Sequence, residues 1–270
     1  MRFLTVPILA VAALAADSVE QYRAQREASL KQDDGWLTVV GLFRLKEGDN
    51  RVGAGEPNEI ALPASAPAHL GKITFSNGKA IYYADGKPGT ELKPNTDIIR
   101  TGKVSFFVIK RGVEYFIRVK DNDSQIRRDF TVLKWFPIDP SWNITAKFTP
   151  YPTPKTILFD SQNGVKQPMV SPGYATFTRD GKEYHLEPVI EGHELFFIFR
   201  DATSNKTTYG AARFLYADVA KNGEVMLDFN KTINPPCAFT PFATCPLPPP
   251  QNRVTLAITA GEKKYSDAIE

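Results

Sequence analysis

The side chains best suited to act on a ligand gather in the last third of the chain: Asp201, Tyr209, Arg213, Asp228, Asn230 and Asn234. Successive side chains of a strand point to opposite faces. Tyr209 and Arg213 therefore share a face within 207–215, and Asp228 and Asn230 share one within 225–230, opposite Val225, Leu227 and Phe229. If the two segments are neighbouring strands, four polar groups converge. Arg213 would be a two-pronged anion clamp, Tyr209 a donor or general acid, Asp228 a general base and Asn230 an orienting or oxyanion donor. Asp201, just past the apolar run 195–199, would add a second carboxylate of the kind glycoside hydrolysis uses, and Asn234 a further ligand-binding amide. The same residues allow a structural reading. Arg213 and Asp228 then pair on a half-buried sheet with Tyr209 bonded nearby, and Asp201 opens a turn before Thr203 and Ser204.

Other chemistries find less support. Only His69, His185 and His193 supply imidazole, and no Gly-x-Ser-x-Gly elbow accompanies them. His185, His193, Cys237 and Cys245 fit no usual zinc spacing, so no metal is expected. Neither a phosphate-cradling P-loop nor a dinucleotide fingerprint occurs, and no cofactor is expected. Lys and Arg total 33 against 30 Asp and Glu, a net +3 spread among acids, which gives no footprint for nucleic acid.

The candidate residues flank an unusual loop, 228–250, in which seven of 23 residues are proline. Proline fixes φ near −65° and removes a donor, so this stretch is neither helix nor central strand but a stiff, shaped loop. It holds both cysteines, Cys237 and Cys245, which an oxidising compartment would join. Closing so short a loop would contribute about 2.5 kcal/mol, less where proline already stiffens the unfolded chain.

That compartment is read from the N-terminus. One arginine, a short apolar run and the Ala13-Leu14-Ala15 pattern make residues 1–16 a secretory signal, too short to span a bilayer, and the protein is expected to be extracellular. Sequons at Asn122, Asn143, Asn205 and Asn230 are then glycosylation candidates, and Asn230 would be at once site residue and glycan acceptor.

Residues 17–31 lack glycine and proline and place Val19, Tyr22, Arg26 and Leu30 at helical spacing, which predicts one helix in a 17–35 segment. From Trp36 the pattern becomes short apolar runs cut by turns. Asn77-Gly78, Arg111-Gly112 and Asp180-Gly181 each separate two strands, the last setting Phe177 opposite Tyr184. Leu195–Phe199 reads as a buried strand, Val225–Asn230 as another and Val254–Thr259 as the last. The fold class is mainly β, one or two β-sandwich or barrel-like units after a single N-terminal helix. Prolines 137, 140, 150, 152 and 154 suggest a boundary giving units 36–135 and 136–270, or else one domain with a proline-rich crossover.

Three blocks carry a resemblance: Asp34-Gly-Trp-Leu-Thr-Val-Val-Gly through Gly53, Thr208-Tyr-Gly-Ala-Ala-Arg-Phe-Leu-Tyr216, and Asn234-Pro-Pro-Cys-Ala-Phe239. In these the chain resembles the family catalogued as domain of unknown function 1684, a kinship that implies no activity. Within the first half, Gly48-Asp-Asn-Arg-Val-Gly53 followed by Asn58-Glu-Ile-Ala-Leu62 looks like the opening strands of forkhead-associated domains, which implies a β-sandwich for 36–135. The phosphate-holding residues of those domains do not carry over, because Ala54 follows Gly53 and Ser65 stands one residue too far from His69.

Two function classes follow. One is a binding or structural module with a polar pocket beside the Pro-rich loop, its partner a small molecule, glycan or peptide. The other is a hydrolase of ester, glycoside or peptide bonds using Asp228, Asp201, Tyr209 and Arg213.

Overall fold

The computed structural model describes residues 8–162 and 164–265, with side chains described from Ser18 onward. The chain divides into two compact units, each discontinuous: unit 1 takes Met1–Ser29, Val132–Ala238 and Cys245–Glu270, and unit 2 takes Leu30–Thr131 and Phe239–Thr244. The chain is mainly β, as its turn pattern implies.

The helix α1 (Ile8–Lys31) begins earlier than the spacing from residue 17 predicts. Residues 8–16 are alanine, leucine, isoleucine and valine without glycine or proline, and nothing in them stops a helix. Residues 1–7 of the expected signal lie outside the described residues. Among the described residues no helix is long and apolar enough to cross a membrane, which says nothing of a β-barrel. Val19 and Leu30 are buried at the predicted spacing.

Unit 2 contains β1 (Val39–Arg44), β2 (Gly48–Gly53), β3 (Ile60–Ala61), β4 (Gly71–Ser76), β5 (Lys79–Ala84), β6 (Thr90–Glu91), β7 (Ile98–Thr101), β8 (Val104–Arg111), β9 (Glu114–Asp121) and the short helix α2 (Gln125–Asp129). They form two sheets, ordered β1-β9-β8-β7 and β3-β2-β4-β5-β6. Val52, Ile73, Phe106, Val108 and Ile117 are among the side chains that fill the core. Fully burying such a side chain contributes roughly 1.5–3 kcal/mol. The β4–β5 hairpin turns on Asn77 and Gly78, both at positive φ, the conformation that makes Asn-Gly a tight-turn signal. Gly53 is required for a different reason: a Cβ there would lie 2.2 Å from the Ala68 carbonyl oxygen.

Unit 1 contains β10 (Asn143–Asp160), β11 (Lys166–Arg179), β12 (Lys182–Leu186), β13 (Val189–Glu191), β14 (Glu194–Phe199), β15 (Arg213–Asp218) and β16 (Glu224–Asp228). Their sheets are ordered β12-β11-β10-β16 and β13-β14-β15. Phe177 pairs with Tyr184 across β11 and β12, their rings stacked at 5.7 Å, as the Asp180-Gly181 turn predicts. Prolines 150, 152 and 154 do not end a unit. They lie inside β10, where the register with β11 shifts between Pro150 and Lys155, because proline cannot donate to a ladder and the pairing steps around it.

Val254–Thr259, predicted as the last strand, forms no ladder. Its backbone is used otherwise: the Arg213 guanidinium takes the Ile258 carbonyl at 2.8 Å and also the Ala260 carbonyl. The rest of the segment bonds to the backbone just past β14, the Val254 N–H donating to the Arg200 carbonyl at 2.9 Å and the Leu256 carbonyl accepting from the Ala202 N–H at 3.0 Å, without extending into a ladder.

Candidate functional site

Arg213 opens β15 and is 1% exposed; Asp201 lies two residues beyond β14. The β14–β15 register pairs Phe199 with Arg213, which brings the carboxylate that follows Phe199 against the guanidinium. Arg213 Nη1 meets Asp201 Oδ2 at 2.6 Å, with both side chains withdrawn from solvent. Asp201 Oδ2 also accepts from the Ile258 N–H at 3.2 Å, and Oδ1 accepts from the Thr203 N–H at 2.9 Å and from the Thr203 hydroxyl. Thr203 Oγ1 in turn meets Thr208 Oγ1 at 2.8 Å. Burial lowers the Arg213 pKa, and Asp201 works against that. The predicted turn-opening role of Asp201 and the predicted ion pairing of Arg213 thus meet in one network, with Asp201 rather than Asp228 as partner.

Asp228 lies elsewhere for a topological reason. β16 pairs with β10 and β15 with β14, so the two segments are not ladder neighbours. β16 also ends at Asp228, and Asn230 belongs to a 3-10 turn that Asp228 caps. Asp228 Oδ1 accepts from the Asn230 backbone N–H at 3.2 Å and from its amide at 3.0 Å, and Lys231 Nζ lies 3.6 Å from Oδ2. The Asn230 amide also donates to the Asp139 carbonyl at 2.9 Å, while its Oδ1 accepts from the Asp139 N–H at 3.0 Å. Asn230 is 1% exposed, with both atoms of its amide bonded to the protein, which argues against the glycan its sequon suggests. Asn143 and Asn205 are exposed; Asn122 is half-buried, its Oδ1 accepting from Asp34 N–H at 2.8 Å.

Tyr209 is nearly buried and donates to the Cys237 carbonyl at 3.1 Å; desolvation first, then Cys237, raises its phenol pKa. The expected disulfide is not formed. Cys237 and Cys245 are buried thiols, and the Cys237 N–H donates to Cys245 Sγ at 3.3 Å. The hydrogen bond with Cys245 lowers the Cys237 thiol pKa, burial opposing it. The sulfurs are thus held by thiol and backbone hydrogen bonds instead of a covalent bridge.

Asn234 belongs to a fourth group, one that sequence reasoning missed. Glu262, 1% exposed, accepts from the Asn234 N–H at 2.8 Å and pairs with Arg26 at 3.0 Å. Arg26 also reaches the Asn234 carbonyl at 3.0 Å, and the Asn234 amide donates to the Lys263 carbonyl at 2.8 Å. Burial raises the Glu262 carboxyl pKa against the pull of Arg26. Helical spacing puts Arg26 on α1 without naming its partner, and no pattern in the tail singles out Glu262.

The four groups are therefore bonded separately: Arg213 with Asp201, Asp228 with Asn230, Tyr209 with Cys237, and Asn234 with Glu262 and Arg26. Most of their polar atoms are used on the protein itself; Arg213 Nε and Asn234 Oδ1 are buried without a hydrogen-bond partner among the described residues.

A different constellation faces solvent on the sheet of β10, β11 and β12. Lys147, Thr176 and His185 form one row across it, and Thr149 and Tyr174 the next. His185 Nδ1 meets Thr176 Oγ1 at 2.9 Å and Nε2 meets Glu183 at 3.2 Å. The Tyr174 ring lies 5.8 Å from His185 and 5.9 Å from Tyr151. Tyr151 donates to Glu187 at 2.7 Å, whose other oxygen accepts from Gln251 at 2.7 Å. The signal that could have found this row is the hairpin itself: a register that sets Phe177 opposite Tyr184 on the core face sets Thr176 opposite His185 on the other. Among the described residues no three His, Cys, Asp or Glu gather as a metal site.

A family profile described as protein of unknown function DUF1684 matches residues 128–263. No curated protein matches. Among solved structures, the solution NMR structure of an uncharacterized protein from Haloarcula marismortui is 30% identical over 53% of this chain and 81% of that one, with a TM-score of 0.44.

Proposed function

This chain belongs to DUF1684, a family of proteins of unknown function, and we propose that it is an exported, non-catalytic binding module that meets a glycan on the solvent face of β10, β11 and β12. The observation that carries the reading is the contrast in exposure. Arg213 and Asp201, the groups best suited to act on a substrate, are withdrawn from solvent and bonded to the protein, whereas His185 and Glu183 stand more than half exposed beside half-buried Tyr174 and Tyr151. Ring faces beside hydroxyl, imidazole and carboxylate groups suit a ligand with an apolar ring face and a rim of hydroxyls. Export rests on the signal pattern of residues 1–16, and a secreted chain starting at Ala16 or Asp17 by intact mass is its check.

The test is a glycan panel read by NMR shifts of the β11 and β12 amides. Tyr174→Ala and His185→Ala should each weaken the binding at least tenfold while leaving the fold intact. Binding unchanged in both variants would overturn the assignment of the face.

A second reading has one observation behind it. The line from Thr176 through His185 to Glu183 has the order of a hydroxyl, base and orienting carboxylate, the arrangement of a hydrolase. Water competes for an imidazole so exposed, which places binding first. Ester turnover that disappears in both Thr176→Val and His185→Ala would reverse that order.

A further inference from the structure

Unit 2 contains a cavity of about 280 Å³ where the β1–β2 connection meets the β4–β5 and β8–β9 turns. Its floor is apolar. Leu45 and Phe75 are buried, Tyr115 is half-buried, and the Phe75 and Tyr115 rings lie 5.1 Å apart. Val113 extends that wall from the tip of the β8–β9 turn, where it is 91% exposed. The volume falls just below the roughly 300–1,000 Å³ that encloses a drug-sized ligand, and it suits a single long side chain.

Charge narrows the occupant. Two carboxylates line the cavity, Glu47 and Glu114. Glu114 is already matched, since Arg44 Nη2 sits 2.5 Å from it. Glu47 is exposed and has no side-chain partner among the described residues. Above the floor Gly78 removes the side chain that would cover the Tyr115 hydroxyl: a Cβ there would stand 3.2 Å from it. The Tyr115 ring already carries a cation, Lys110 Nζ at 5.2 Å, so what Tyr115 has left to offer a guest is its hydroxyl.

We propose that this cavity takes the basic side chain of an extended peptide. The alkyl stem would lie along Leu45, Phe75 and Tyr115, and the cationic head would reach Glu47 and the Tyr115 hydroxyl. Long basic side chains are suited to this because their methylene stems bury on apolar surface while the head keeps polar company. An anionic ligand would meet Glu47 unpaired, and a purely apolar one would leave that carboxylate desolvated without return. The residues of this site, 44–115, lie outside the family match and the site stands independently of the glycan reading, so either can fail alone.

The experiment titrates the whole chain with the peptides acetyl-Gly-Lys-Gly-amide, acetyl-Gly-Arg-Gly-amide and acetyl-Gly-norleucine-Gly-amide, following the Gly78 and Val113 amide signals by NMR. The expected result is saturable, local shifts with the lysine or arginine peptide and at least tenfold weaker binding of the norleucine peptide. Glu47→Gln, an exposed change that leaves the core untouched, should bring the basic peptides down to the norleucine level, and Tyr115→Phe should weaken them by a few-fold. Equal binding of all three peptides, no saturable shift with any of them, or full binding in Glu47→Gln would each overturn the proposal.

Discussion

The two units differ in whether they bury an ion pair. In unit 1, Arg213–Asp201 and Arg26–Glu262 are buried or nearly so. In unit 2, Arg51–Glu59, Lys72–Asp49 and Lys103–Asp123 lie in solvent, and the buried polar side chain at the centre of the β2 sheet is a neutral amide, Asn50. Its amide group meets the Lys46 N–H and the Lys46, Gly48 and Ile73 carbonyls. Buried charge is costly to strand and insensitive to salt; exposed charge is cheap to lose and screened. Unit 1 therefore depends on few irreplaceable contacts, and unit 2 on apolar packing with a forgiving surface.

Four substitutions test that difference. Asp201→Asn leaves the Arg213 charge buried without its counterion, and breaking such a pair costs about 3–5 kcal/mol, to be read by chemical denaturation with no relief from added salt. Glu262→Gln should cost about 2 kcal/mol through its hydrogen bonds to Arg26 and Asn234. It also changes the pH profile. Because burial raises the Glu262 carboxyl above its ordinary 4.5, the folded protein holds that proton more tightly than the unfolded chain does. The stability it lends is present below about pH 4.5 and is lost as pH rises through the folded value, a slope the glutamine variant removes. Asn50→Ala in unit 2 should cost roughly 1–2 kcal/mol, since four backbone groups lose a partner but no charge is stranded. The smallest effect is that of Arg51→Ala. Glu59, held at about 2 by Arg51, should return toward 4.5 in a carboxyl NMR titration, with stability unchanged at high salt. A loss from Arg51→Ala as large as that from Asp201→Asn would erase the distinction between the units.

Period-two patterning and turn residues carried the strands and hairpins, because both act within a few residues. The Asp180-Gly181 turn thereby also aligned the exposed row of Thr176 and His185. The site residues were legible as types and not as partners. Tyr209 and Arg213 were read in one strand, but β15 begins only at Arg213, and the sheet that receives β16 is chosen by β10, some 80 residues away in sequence. Sequence spacing gives a face; it does not give the neighbour across that face. The apolar segment 254–259 misled for a related reason, since its backbone partners are shared between the residues just past β14 and the buried Asp201 and Arg213 side chains, which no local pattern announces. Cys237 and Cys245 were paired by proximity in sequence, and they are neighbours, though as hydrogen-bonded thiols.

The acceptors of Arg213 come from residues 258 and 260, near the end of the chain. During synthesis the ribosome releases Leu30–Thr131, nearly all of unit 2, long before these arrive, so most of that unit's core strands can pair while unit 1 must wait for the final residues. A nascent chain arrested before Ile258 would hold Arg213 and Asp201 without the backbone that completes their network. Protease protection of such stalled chains should appear over 30–131 first and over 132–238 only once the tail has emerged.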